Sequence, residues 1–362
     1  MKNTYGNHVS VTLFGESHGP SVGVVIDGLA PGLIVDEAVI ADFLARRRPQ
    51  GAISTARREA DAFVIESGVF NGKTTGTPIC IRVPNADTRS ADYTDAERLA
   101  RPGHADLAAH YKYHGYEDYR GGGHFSGRIT AALVAAAGII IPALEKKGIR
   151  IGTHIRCLGG VDDRAFVDVS ADVDVLHTSF PVLDAGVKEA MMERILAAKA
   201  DGDSVGGVLE TAVVGMPAGL GEPWFDTMEG VLSHALFSIP AIKGVEFGDG
   251  FALADMRGSE ANDAWHMRGT PVSETNHNGG VNGGITNGMP ILFRCAVKPT
   301  PTIAKEQNTV SLTSGEEGIL TARGRHDPCI VHRAAVVVDA VTALVLCDVL
   351  ADRYGTDWLG EV

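Results

Sequence analysis

Aromatic residues make up only 6% of this 362-residue chain, cysteines number five, and no low-complexity linker or internal repeat interrupts it. Each shortage excludes something. Cys80, Cys157, Cys295, Cys329 and Cys347 are odd in number and lack CxxC spacing, so neither a zinc site nor any other metal centre nor a disulfide framework follows from them. Scattered thiols of this kind suit a reducing cytoplasm. The opening residues, Met-Lys-Asn-Thr-Tyr-Gly, lack an apolar core, so no signal peptide is expected. The most apolar run, Ile129 to Leu144, contains Pro142 and falls short of the roughly 18 residues a membrane span needs, so a soluble protein without a membrane partner is expected. A formal net charge of −13 argues against nucleic acid as the main partner. It leaves room for a small anionic substrate, because local arginine clusters decide that question.

Glycine is abundant, at 44 residues, which points to close backbone approaches and loops built from main-chain groups. The length permits two or three domains, but the chain reads as one domain spanning 1–362. β-Branched alternation predicts strands at His8 to Phe14, Val22 to Asp27, Phe63 to Val69 and Thr77 to Val83, the last two separated by the turn Asn71-Gly72-Lys73. Further strands are expected at Gly207 to Gly215 and Pro290 to Val297. Asp36 caps a helix that runs to Arg46 and stops before Pro49. Asp184 to Lys199 is amphipathic, with Val187, Met191 and Ile195 on one face. Two helices, Arg128 to Lys147 and Ala334 to Arg353, are apolar on every face, the second broken only by Asp339 and Asp348. A helix apolar all round must be covered on all sides. The expectation is an α+β fold with helices sandwiched between two antiparallel β-sheets. No clean βαβα alternation supports a Rossmann domain.

Five segments carry chemistry. Arg323-Gly-Arg325-His326-Asp327-Pro328-Cys329 crowds cations, an imidazole and a carboxylate around one turn, with Arg333 close behind. Pro328 restricts Asp327 to extended backbone, so its carboxylate is held; the plain alternative is an Asx-type turn. Gly15-Glu16-Ser17-His18-Gly19 matches the G-x-S-x-G nucleophile elbow, but a strand rather than a helix follows, which argues against a serine hydrolase. Ser17 and His18 then either face a ligand or form polar surface. Arg101-Pro102-Gly103-His104-Ala105-Asp106 sets a second histidine on a Pro-Gly turn, as a proton carrier or an idle turn residue. Arg120-Gly-Gly-Gly-His124-Phe125-Ser126-Gly127-Arg128 runs into the buried helix, where glycine N–H groups can approach an anion; a flexible connector is the alternative. The loop 276–284, followed by Lys298-Pro299-Thr300-Pro301-Thr302, is either a surface turn or a cradle for a flat phosphorylated cofactor. Arg46-Arg47-Arg48 and Arg57-Arg58 are further basic runs that read equally as solvated faces.

Jointly, the G-E-S-H-G, R-R-R-P, R-P-G-H-A-D, R-G-G-G, G-D-S-V-G-G, P-A-G-L-G-E-P, K-G-V-E-F-G-D-G-F, G-G-V-N-G-G-I, K-P-T and R-H-D-P-C segments resemble the chorismate synthase family in order and spacing along the whole chain. The resemblance implies a carbon–oxygen lyase of the shikimate pathway. Its reaction is the anti-1,4-elimination of phosphate from 5-enolpyruvylshikimate 3-phosphate, giving chorismate. It also implies reduced FMN (FMNH2) that is not consumed overall, and a cytoplasmic homotetramer. By the same resemblance, His18 protonates departing phosphate, His104 stands beside flavin N1, and Asp327 with Ser17 assists proton removal near flavin N5. Arg47, Arg48, Arg128 and Arg333 correspond to substrate-binding arginines. Flavin contacts correspond to His124, Phe125, Ser126, Pro240, Ala241, Gly283, Lys298, Pro299, Thr300, Pro301, Thr302 and Arg325. Two segments depart from the family pattern: His124-Phe125-Ser126-Gly127 stands where most relatives carry Arg-Ser-Ser-Ala, and Pro240 replaces a common Asn, removing an N–H donor. No added nicotinamide-binding domain is visible, so an external flavin reductase, rather than built-in NADPH oxidation, is expected to supply reduced cofactor. A flavin-independent phospholyase and a flavin-binding homologue without turnover are the rival readings.

Overall fold

The computed structural model describes residues 2–55, 60–86, 98–322 and 327–360. Arg57, Arg58, Arg323, Arg325 and His326 lie outside the described residues.

Two five-stranded sheets, antiparallel at every pairing, organise the chain. The first contains β1 (Thr4–Tyr5), β2 (Ser10–Gly15), β3 (Ser21–Asp27), β4 (Val64–Ser67) and β5 (Ile79–Pro84), in the order β1-β2-β3-β5-β4. The second contains β6 (Arg150–Leu158), β7 (Val161–Asp162), β8 (Gly207–Val214), β9 (Ile242–Phe247) and β10 (Ile291–Val297), in the order β9-β10-β8-β6-β7. The expected run from Phe63 to Val69 is cut at Gly68, which holds φ +79. A separate hairpin follows, pairing Val69–Phe70 with Lys73–Thr74 around Asn71 and Gly72, both at positive φ. That turn chemistry is the Asn-Gly signal read from the sequence.

Helix α1 (Glu37–Arg47) starts at Asp36, whose carboxylate accepts from Ala38 N–H at 2.8 Å. α2 (Asp106–Tyr113) follows the Pro-Gly turn. α3 (Thr130–Lys146) begins after a single 3-10 turn at Gly127–Ile129, because the Ser126 hydroxyl accepts from Arg128 N–H first. α4 (Lys188–Ala200) buries Met191 and Ile195 as expected, while Val187 falls in a preceding 3-10 turn. α5 (Met228–Leu236) and α6 (Val331–Tyr354) complete the principal helices. α3 packs against β3, β5 and β6, α6 packs against β6 and β8, and both contact α1 and each other. This is why their sequences carry no polar face.

Length alone misleads here. The stretches Gly127–Lys146 and Val331–Tyr354 are both long and apolar enough to cross a membrane, contrary to the expectation that no run reaches that length. The cause is that the first helix extends past the apolar run at both ends. However, 89% of each apolar window is buried inside the protein, so both helices face protein rather than lipid.

Polar atoms on α6 have distinct duties. Asp348 accepts backbone N–H bonds from Asn7, His8 and Val9 at 2.7–3.1 Å, fastening the N-terminal segment to the last helix. Asp339 is buried. Burial drives its carboxyl from 3.8 up to about 7, against the opposing pull of the Thr153 hydroxyl and the Arg46 charge. As pH rises from about 4 to about 7, the unfolded chain has released this proton while the folded one retains it, so stability falls across that window and levels off above it. Asp339→Asn should flatten this decline, matching the parent near pH 4 and exceeding its stability at pH 8; urea unfolding as a function of pH measures both. A second test concerns Gly138 of α3, which packs against Ile40 of α1: a Cβ there would sit 2.8 Å from Ile40 Cα. Overpacking outweighs the gain in helix propensity, so Gly138→Ala should lose about 1–2 kcal/mol in the same assay.

Candidate active site

Gly121, Gly122 and Gly123 hold φ values of +61, +88 and +53, a left-handed run that L side chains adopt only under strain. What they make room for is specific. A Cβ on Gly121 would stand 2.1 Å from Nδ1 and Cε1 of His18, and one on Gly122 would stand 3.3 Å from Nε2 of His104. Two histidines 86 positions apart therefore share one glycine floor. The anion-cradling reading of this loop is not what the bonds show at Gly122, whose N–H donates to Tyr119 O at 3.1 Å.

Neighbouring bonds fix the backbone beside His18 and hold the His104 ring. Ser17 and His18 sit on the turn between β2 and β3, so strand-turn-strand geometry replaces the strand-turn-helix of a nucleophile elbow. Ser17 N–H donates to Gly123 O at 3.0 Å, and His124 Nδ1 donates to Gly15 O at 2.7 Å. His104 precedes α2, and its Nδ1 lies 2.7 Å from Asp106 Oδ1. Burial works to raise the Asp106 carboxyl, but hydrogen bonds from Arg101 and His104, together with their charges, hold it well below the usual carboxylate range.

The arginines arrive with counter-charges. Arg47, at the end of α1, and Arg128, before α3, both pair with buried Asp61; the Arg47 contact is 3.3 Å. Arg128 also donates to Asn85 Oδ1 at 2.9 Å and Pro84 O at 3.0 Å. Arg333 Nη1 lies 2.5 Å from Asp327 Oδ2, while Asp327 Oδ1 accepts from Thr55 N–H at 2.7 Å. Arg333 Nε donates to Arg47 O at 2.7 Å, which joins the two arginine sites.

Most of these side chains border one cavity of about 1200 Å³, with Asp61 and Asn85 behind its lining. Among the sequence-derived candidates, His18, His104, Asp327, Arg47, Arg128 and Arg333 line it, together with His124, Phe125, Ser126, Pro240, Ala241, Lys298, Thr300, Pro301 and Thr302. Leu133, Val337, Val341 and Leu344 give it an apolar wall. Ser17, Arg48, Pro299 and Gly283 are not among the lining residues, and Arg325 lies outside the described residues. Ser17 is nonetheless next to His18, with its Oγ 3.1 Å from the position of a Gly121 Cβ. Arg48 caps α1, its N–H donating to Leu44 O and Ala45 O.

Gly283 lies away from this cavity. It turns the small hairpin that pairs Val281–Asn282 with Ile285–Thr286, and no residue of 276–284 lines the cavity. Much of that loop's polarity is spent internally. Asp263 accepts from His277 N–H, Asn278 N–H and the Asn278 amide, Asn276 donates to Pro290 O, and His277 pairs with Asp249.

A family model described as chorismate synthase matches residues 9–351. The chain belongs to the chorismate synthase family. It is 47% identical to a chorismate synthase of Aeropyrum pernix over 355 residues, covering 97% of this chain and 93% of the relative. It is 48% identical to one of Thermococcus gammatolerans over 358 residues, covering 99% of each. A crystal structure of chorismate synthase superposes with a TM-score of 0.76 at 28% identity, covering 98% of this chain and 94% of that one. Membership makes this chain a lyase, and the α+β architecture is that of its structural neighbour.

Sequence reasoning missed Asp61, Asn85 and Thr55, the partners that hold the arginines and Asp327. No local signal marks them, since each acts on a residue 14 to 272 positions away. Asp61 carries the sharpest consequence. Removing one partner of a buried ion pair typically costs about 3–5 kcal/mol, and Asp61→Ala should show a loss of that size in urea unfolding. A loss below about 1 kcal/mol, the range of an exposed pair, would mean other groups hold the arginines.

Proposed function

We propose that this chain converts 5-enolpyruvylshikimate 3-phosphate to chorismate and phosphate by anti-1,4-elimination, with reduced FMN as a cofactor that is not consumed overall. The observation that carries the proposal is the meeting of His18 and His104 over adjacent glycines, in a cavity that also takes in Asp327 and three arginines.

The residues present fit both ligands. The cavity exceeds the roughly 300–1,000 Å³ of a usual single-ligand pocket. It joins the arginine end to an apolar wall and to the Lys298–Thr302 segment. Thr300 Oγ1, on the cavity lining, is buried without a hydrogen-bond partner among the described residues, as expected of a group that a ligand completes. Thr300, Pro301, Thr302, Lys298, Phe125, Ser126, Pro240 and Ala241 would hold FMN. His124 contributes through its backbone and ring edge, because its Nδ1 is committed to Gly15 O. Reduced FMN, when bound, supplies the electron density that eases cleavage of the allylic C–O bond.

The protein's own part is positioning, charge and protons. Arg47, Arg128 and Arg333 bind the substrate's anionic groups, with Arg48 supporting the end of α1. Phosphate gains negative charge as its C–O bond breaks, and fixed guanidiniums stabilise that charge more in the transition state than in the ground state. His18 delivers a proton to the departing phosphate. His104 serves the cofactor side of the cavity. Asp327 is the carboxylate available for the C6 proton, with the Ser17 hydroxyl supporting transfer. In the free protein Asp327 is bonded to Arg333 and Thr55. A substrate anion that draws Arg333 to itself leaves one carboxylate oxygen open at the moment a base is required.

The wider reading follows the same lines. α1, α3 and α6 form a layer between the two sheets, within one domain. Exposed Trp224, Phe225, Phe251 and Met267 support self-association into a homotetramer. The protein works in the cytoplasm, with reduced flavin supplied by an external reductase.

Anaerobic assay with FMN, dithionite and substrate tests the reading: phosphate should appear only with reduced flavin. Release with oxidised or no flavin would instead identify a flavin-independent phospholyase, and tight FMN binding without release a binding protein. His18→Ala and His104→Ala should each lower kcat by about 10²–10⁴-fold with unchanged far-UV circular dichroism; parent rates in both would refute their roles.

A further inference from the structure

Asp106 is surrounded by donors. Its Oδ2 accepts from Arg101 N–H at 3.0 Å and Arg101 Nε at 2.7 Å, and its Oδ1 accepts from Arg101 Nη2 at 2.7 Å and faces His104 Nδ1 at 2.7 Å. Those contacts occupy all four acceptor positions of a carboxylate. Arginine can only donate, and an ionised carboxylate can only accept. His104 Nδ1 must therefore carry a hydrogen. The ring's other nitrogen, Nε2, lies beside Gly122, and His104 itself lines the cavity.

We infer that Asp106 is a positioning residue that fixes His104 in the Nδ1–H form, commits Nε2 to the cavity as the single proton-exchanging atom, and is itself fixed by Arg101. The inference rests on the role proposed above for His104, and it adds the identity of the reacting nitrogen and the source of its orientation. Loss of the Nδ1 partner would let the ring rotate and exchange tautomers. Arg101 anchors both carboxylate oxygens, so the acceptor cannot swing away from the ring. Gly103 ties the same turn to Lys298, also on the cavity lining, since its carbonyl accepts from Lys298 Nζ.

Asp106→Asn separates this role from a merely structural salt bridge. One amide oxygen must replace two carboxylate oxygens. At the Oδ2 position it retains two hydrogen bonds from Arg101, from the backbone N–H and from Nε. The new NH2 group then faces His104 Nδ1, which can accept that hydrogen only if its own has moved to Nε2. The substitution is therefore expected to reverse the tautomer. A buried carboxylate partner of a catalytic histidine acts in the same way in serine proteases, where the equivalent change costs about 10⁴-fold in kcat.

Nitrogen-15 NMR of histidine-labelled, ligand-free full-length protein, with His104→Gln identifying the resonance, reads the tautomer without any cofactor. The parent should show neutral His104 protonated at Nδ1, and Asp106→Asn should show it protonated at Nε2. In the anaerobic assay Asp106→Asn should lower kcat by about 10²–10⁴-fold and leave KM within about threefold. An Nε2–H form in the parent overturns the inference, and that measurement needs no variant to fold. So does an unchanged Nδ1–H form in Asp106→Asn, or a parent-like kcat in that variant while His104→Ala is inactive. Parent rates in His104→Ala would instead sink the role of His104 itself and leave the tautomer result standing.

Discussion

The site depends on a stretch of backbone that no side chain can share. Three successive residues, 121 to 123, lie in left-handed φ, and the space above the first two is filled by imidazole rings. A single added methyl at 121 would collide with His18, and the resulting shift would reach Ser17, whose amide is bonded to Gly123 O. The glycines also set how far the β2–β3 turn can descend toward the start of α3. Position, here, is dictated by exclusion: the rings stand where the chain leaves room.

Charge follows a second constraint. A chain with a net charge of −13 lines its cavity with guanidiniums, and the ones that matter already hold carboxylates. Two arginines share Asp61, and Arg333 holds Asp327. Bare guanidiniums at this depth would carry a large desolvation cost, so the internal acids keep the empty site intact. Under the proposed function, substrate binding is an exchange of anions around cations already in place. Such an exchange favours a ligand with more than one negative group, because a single carboxylate would only replace what is already there.

Much of this was legible before any coordinates. Strand alternation read at His8 to Phe14 and Val22 to Asp27 (observed at Ser10–Gly15 and Ser21–Asp27), the Asp36 cap, and the all-apolar character of α3 and α6 each reflect a local rule obeyed by the structure. His18, His104, Arg47, Arg128, Arg333 and Asp327 were all legible as candidates from the segments that carry them. What stayed hidden was pairing across distance. Nothing near Asp61 says that it will sit between residues 47 and 128, and nothing near Thr55 says that its amide will hold Asp327. The glycine loops were the least readable. Residues 120–123 and 276–284 are both rich in glycine, yet one makes room for two imidazole rings and the other is held by hydrogen bonds to Asp263. Composition reports the freedom of a backbone and says little about what fills the space.

The bond between Asp348 and the amides of residues 7 to 9 joins positions about 340 apart in the chain. A ribosome has made nearly the whole protein before that carboxylate exists. The connection between β1 and β2 therefore waits through most of translation with its amides unanswered, alongside a last helix that must insert between partners already formed. Contacts of such long reach slow folding and leave apolar surfaces open meanwhile. For this chain, maturation is an event that follows synthesis, and the nascent polypeptide is the state in most need of a chaperone.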